Sequence, residues 1–115
     1  MEVLEGKAQL QTFIRRNRIA LIAFAKKGSS EWEYARRLLT RLESRAGYLM
    51  SFAIADKSLE EAVASNSEEI VIRLYLESKP VFEQQGVFGK QDLDYEALRR
   101  GIKAVLKRHS IKTLF

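Results

Sequence analysis

The stretch 18-RIALIAFAKKGSSEWEYARRLLTRL-42 decides how the rest of the chain is read. Ile19 to Ala25 is an almost unbroken apolar run. At seven residues it is too short for a core helix and the right length for a strand buried on both faces. Lys26 to Ser29 then form an exit loop. Beyond it, Trp32, Ala35, Leu38, Leu39 and Leu42 recur at helical spacing, with Arg36, Arg37, Arg41 and Arg45 on the polar side. Ser30 and Glu33 have the spacing of a capping box, and Ser29 is the alternative cap. Glu31 and Glu33 in the first turn suit the helix dipole.

Working outward, residues 6–17 read as a helix with Leu10, Phe13 and Ile14 on one face, preceded by a short edge strand over Met1 to Leu4. After a helix end near Gly47, Tyr48 to Ala55 is a second apolar strand. Ser58 and Glu61 repeat the capping-box spacing, and a short helix is expected to about Asn66, with Leu59, Ala62 and Val63 inward. Ile70 to Leu76 is rich in β-branched residues. Ser78-Lys79-Pro80 reads as a turn into a strand over Val81 to Phe88, which makes an antiparallel hairpin with a bulge or close approach at Gly86. Asp92 or Asp94 is expected to cap the last helix, which runs to about His109. Its apolar positions are Leu93, Tyr95, Leu98, Ile102, Val105 and Leu106, and Gly101 allows close packing. Leu114 and Phe115 are expected to dock the tail.

The composition excludes several chemistries. The chain has 115 residues, 46% hydrophobic and 30% charged, which suits a single domain over residues 1–115 with one core. There is no cysteine, and hence no disulfide, thiol nucleophile, thiolate metal site or iron–sulfur cluster. The one histidine, His109, lies beside Lys107 and Arg108 and reads as a helix C-terminal charge, not a general base. Ser29 therefore lacks a partner to activate it as a nucleophile. No enzymatic activity, metal or cofactor is expected. No apolar run is long enough to span a membrane, and the acidic opening residues lack the layout of a secretory signal, so a cytoplasmic protein is expected.

The net charge of +5 is uneven: Asp56 to Glu69 carries −4 and the remainder +9. Two surfaces follow. Lys26, Lys27, Gly28, Ser29 and Ser30 form either an exposed turn with a capped helix or an anion site built from free N–H groups, hydroxyls and ammonium groups. Arg36, Arg37, Arg41, Arg45, Arg99, Arg100, Lys103 and Lys107 form a basic face if their two helices lie on one side of the sheet. That face is either a solvated surface or a contact for nucleic acid or an acidic partner. Trp32 fits the core by its spacing, whereas Tyr34 falls off the stripe and reads as an exposed contact. The hairpin edge strand offers Phe82, Val87 and Phe88 for pairing with another chain, including a second copy.

The element order (β)αβαβαββα defines an α/β fold with a mixed central sheet flanked by helices, and it resembles the thioredoxin-like fold over about the whole chain. Aligned on Phe24 and Leu39, the family's Cys-x-x-Cys motif falls on Ser29, Ser30, Glu31 and Trp32. The family's cis-proline falls near Val71, while the only proline is Pro80; the family's late glycine matches Gly89. The resemblance implies a divergent, redox-inactive member that serves as a protein interaction or assembly module. Its contact surface would comprise Lys26, Lys27, Gly28, Ser29, Ser30, Trp32 and Val71, where catalytic relatives hold polypeptide substrates. The alternative is a small basic nucleic-acid-associated protein using the positive helix face.

Overall fold

The computed structural model describes residues 1–60 and 69–115. Its elements are β1 (Glu2–Leu4), α1 (Lys7–Arg16), β2 (Ile19–Ala25), α2 (Ser30–Ala46), β3 (Ser51–Asp56), a 3-10 turn (Lys57–Leu59), β4 (Val71–Leu76), β5 (Lys79–Gln85) and α3 (Gln91–Arg108). The five strands form one sheet in the order β1-β3-β2-β4-β5. β3 runs parallel to both β1 and β2, whereas β4 is antiparallel to β2 and to β5. The apolar run Ile19–Ala25 is thus the central strand, and all seven of its residues are buried.

Period-two alternation divides β2 between two cores. Leu21 and Ala23 face α2 and α3, where they meet Leu38, Leu39, Leu42, Leu98 and Ile102. Ala20, Ile22 and Phe24 face α1, where they meet Leu10 and Phe13. α2 and α3 therefore do cover the same side of the sheet, as the basic-face reading required. Gly101 of α3 lies under the ring of Phe82: a Cβ built there would stand 2.6 Å from the ring. This is the close packing expected of that glycine.

Several boundaries differ from the sequence reading. The second strand starts at Ser51, not Tyr48, and Tyr48 is exposed. Asp56, not Ser58, caps the turn after β3, because its carboxylate accepts from the Ser58 N–H at 3.0 Å. The expected helix beyond it, and its Glu61, fall outside the described residues. The hairpin turn is Glu77-Ser78, both at positive φ, the geometry a two-residue turn needs to match strand twist. Pro80 accordingly lies inside β5, opposite Tyr75, where an edge strand tolerates a residue without an N–H.

The irregularity in that hairpin sits between Leu74 and Tyr75 and not at Gly86. Gly86 follows the strand and donates its N–H to the Ile70 carbonyl at 2.7 Å. Val87 and Phe88 therefore leave the sheet for the loop to α3. In the tail, Phe115 packs against the core but Leu114 is exposed. Among the described residues no helix is long and apolar enough to cross a membrane.

Candidate functional site

The sequence-derived contact surface begins where β2 gives way to α2. Gly28, at φ +82°, turns the chain in the left-handed region that a side chain disfavours. Ser29 is the N-cap: its Oγ accepts from the Trp32 N–H at 3.1 Å, and its own N–H donates to the Lys26 carbonyl at 3.1 Å. The Ser30–Glu33 capping box does not form, because Ser30 already lies inside the helix and Glu33 pairs with Arg36 at 2.9 Å. Ser29→Ala should cost about 1 kcal/mol in urea denaturation, the usual worth of an N-cap, while Ser30→Ala should stay within about 0.5 kcal/mol. Equal costs would contradict this assignment of the cap.

The turn's hydrogen-bonding groups already meet carboxylates. The Lys27 N–H donates to Asp56 Oδ1 at 2.9 Å, and Lys27 Nζ pairs with Glu5 at 3.1 Å. Ser30 Oγ donates to Glu31. The Glu31 carboxyl is held below its ordinary pKa by its own backbone N–H first, and then by the Ser29 and Ser30 hydroxyls. Asp56 is likewise lowered, chiefly by the Ser58 hydroxyl and then by the Lys27 N–H. Intramolecular anions thus occupy positions an external anion would take.

Trp32 is 8% exposed and part of the core, as its spacing indicated. Val71 is also buried and lies directly opposite Phe24 in the β2–β4 ladder, but it packs with Phe24 in the core on the α1 side of the sheet, whereas Trp32 packs on the α2 side, so Val71 does not join the predicted contact surface. Tyr34 departs from expectation. It is half-buried, and its hydroxyl donates to Asp94 Oδ2. Burial first, and then that hydrogen bond, push its pKa up to about 12.

Asp94 is the residue the sequence reading misjudged most. It does not cap α3 from outside. The helix begins at Gln91 with Lys90 as N-cap and no side-chain cap, and Asp94 sits within it, fully buried. Its carboxylate accepts from the Phe88 N–H at 2.7 Å and the Gly89 N–H at 3.1 Å as well as from Tyr34. One acid thereby ties the β5–α3 loop to the first turns of α2. Gln91 Nε2 adds a bond to the Tyr34 carbonyl at 3.4 Å. The loop so fixed presents Phe88 at 74% exposed, with Leu93 at 55% on the adjoining turn of α3. Leu93 is therefore not a core position. Two exposed apolar side chains on a tethered loop and helix end beside the α2 N-terminus are the feature that spacing alone did not reveal.

The basic face is interleaved with acids. Arg41 pairs with Asp92 at 2.7 Å and stacks over the Tyr95 ring at 4.2 Å. Arg99 and Arg100 share Glu96, and Arg36 is held by Glu33. Arg37, Arg45, Lys103 and Lys107 lie on the same side of the sheet.

No protein-family model matches the chain, and no curated protein matches it. Solved structures do. Fasciola hepatica thioredoxin superposes with a TM-score of 0.63 at 20% identity, covering 91% of this chain and 99% of that one. Oxidised Plasmodium falciparum thioredoxin gives 0.63 at 10% identity, over 95% and 97%. Chlamydomonas reinhardtii thioredoxin f2 gives 0.62 at 14%, over 96% and 99%. The fold is thioredoxin-like, as the element order indicated, and this chain carries it without a single cysteine.

Proposed function

We propose that this chain is a redox-inactive thioredoxin-like domain that works as a protein interaction or assembly module in the cytoplasm and not as an enzyme. The observation that carries the reading is Phe88, exposed on a loop that Asp94 fastens beside the start of α2. A large exposed aromatic whose backbone is already tethered is an anchor that needs little further loop ordering on binding. The absence of thiols removes the exchange chemistry of a thioredoxin, and what the fold retains is a surface able to hold a polypeptide. The ion pairs on the helix face support this reading over nucleic-acid binding, since Glu33, Asp92 and Glu96 offset four of its arginines.

A photo-crosslinking residue at Phe88 tests the proposal in the organism that makes the protein. Illumination should give one dominant protein adduct, and the same probe at Arg108, on the far end of α3, should not. Leu93→Asp should reduce the Phe88 adduct about tenfold or more, the worth of one buried anchor of 1.4 kcal/mol or above. Equal adduct patterns from both probe positions would contradict the proposal. A salt-sensitive mobility shift with generic RNA or DNA would favour the nucleic-acid alternative.

A further inference from the structure

On the opposite side of the sheet, α1 and the end of the β4–β5 hairpin enclose a cleft of about 400 Å³, within the range of small-ligand sites. Its floor is Phe24, and Ile14, Leu59 and Pro80 form apolar walls. One side chain there is out of place for a central strand. Arg73 is 7% exposed and belongs to the same face of β4 as Val71 and Tyr75. It does not fill the cleft. Its guanidinium turns along the sheet over the Phe24 ring, 5.4 Å from the centroid, to reach carboxylates on either side. Nε donates to Glu83 Oε1 at 2.7 Å, and Nη2 donates to Glu60 Oε1 at 2.8 Å and also to Glu83. Replacing a buried ion pair by apolar groups is often neutral or stabilising, so stability alone is a weak reason to place arginine here.

The hydrogen-bonding inventory of the cleft is one-sided. Its acceptors are engaged: Glu83 Oε2 takes the Gln85 amide at 2.7 Å, and Gln11 Oε1 takes Arg15 at 3.3 Å. Glu60 behind it is shared between Arg73 and Lys57. Donor capacity remains. Among the described residues Arg73 Nη1, which carries two N–H groups, has one acceptor, the Tyr75 hydroxyl at 3.3 Å, which keeps its own proton to give. Gln11 and Lys7 also line the cleft, and Lys7 makes no ion pair among the described residues. Because Glu60 and Glu83 already neutralise Arg73, Lys7 carries the lining's unpaired positive charge among the described residues; a ligand that matches this surface accepts hydrogen bonds, places a negative charge near Lys7 and buries an apolar body.

We infer that this cleft binds a small amphiphilic carboxylic acid, with its carboxylate between Lys7, Arg73 and the Tyr75 hydroxyl and its hydrocarbon body against Phe24 and Ile14. The site is separate from the partner surface and faces away from α2 and α3.

Titration of the full chain with sodium octanoate, followed by amide NMR and thermal unfolding, tests the inference. Octanoate should raise the melting temperature with concentration and move the resonances of Leu10, Phe24 and Tyr75, while octylammonium at the same concentrations should do neither. Lys7→Glu changes an exposed residue, so it should fold normally and bind octanoate about tenfold more weakly or worse, the loss of one charge-assisted contact. Ile14→Trp, which fills the cleft from α1, should abolish the response. Equal responses to octanoate and octylammonium, shifts confined to other surfaces, or no response at all would overturn the inference. Tighter binding of a leucine-terminated hexapeptide than of octanoate would overturn the assignment to a small acid.

Discussion

Asp94→Ala should destabilise the folded chain by about 3–5 kcal/mol, more than any other change confined to a polar side chain. The carboxylate is fully buried and serves three donors: the Phe88 and Gly89 N–H groups and the Tyr34 hydroxyl. Each donor left unpaired costs about 1–3 kcal/mol, and an acid in the first turns of α3 also interacts favourably with the helix dipole. For a chain of this size the loss corresponds to a fall of roughly 10–20 °C in melting temperature. Urea denaturation should show a lower midpoint at unchanged slope. Asp94→Asn keeps the shape and one acceptor, so it should cost less. A loss under about 1 kcal/mol in Asp94→Ala would show that the loop is held by other contacts.

The same contact predicts an alkaline limb. The Tyr34 pKa is raised to about 12, so the folded state favours the neutral phenol over the unfolded state, whose tyrosine titrates near 10. That contribution is complete below about pH 10 and disappears as the pH rises through the folded value. Tyr34→Phe should flatten the alkaline fall in stability, and Asp94→Asn should move one tyrosine absorbance transition to lower pH.

How much of this was legible in the sequence depended on the kind of signal. The central strand, the α2 stripe and the α3 stripe follow from apolar periodicity, which reports burial directly. The element order then sufficed for the fold. Boundaries failed where short-range hydrogen bonding competed. Glu77-Ser78, not Ser78-Lys79-Pro80, turns the hairpin, with both residues at the positive φ that non-glycine residues seldom adopt, and this left Pro80 within an edge strand. Asp94 and Leu93 were misplaced for a related reason. An acid near a helix start reads as a cap, but here it lies inside the helix and reaches back to the loop, which turns Leu93 outward. Arg73 interrupts the apolar run of β4 in plain view, yet its partners come from Glu60 and Glu83, ten or more residues away. No local pattern brings those three together.

The resemblance read from the sequence puts Ser29 and Trp32 in the two cysteine positions of the thioredoxin motif, and this register is open to direct test. Ser29 is the N-cap and Trp32 is three residues on, so their side chains span the first turn of the helix. Replacing both by cysteine brings two thiols into the roughly 4.4–6.8 Å Cα separation that a disulfide accepts. Loss of the buried indole should cost about 3–5 kcal/mol, so the reduced double variant should be markedly less stable than the parent. Oxidation should recover part of that loss by restricting the unfolded chain. The introduced Ser29→Cys thiol should also titrate below about 8.5, because it sits at a helix N-terminus close to lysines. The decisive measurement is the intact mass of the folded, oxidised double variant, before and after dithiothreitol. The expected result is a monomer lighter by two hydrogens that regains them on reduction. A folded variant that stays a dithiol under oxidant, or forms only disulfide-linked dimers, would contradict it.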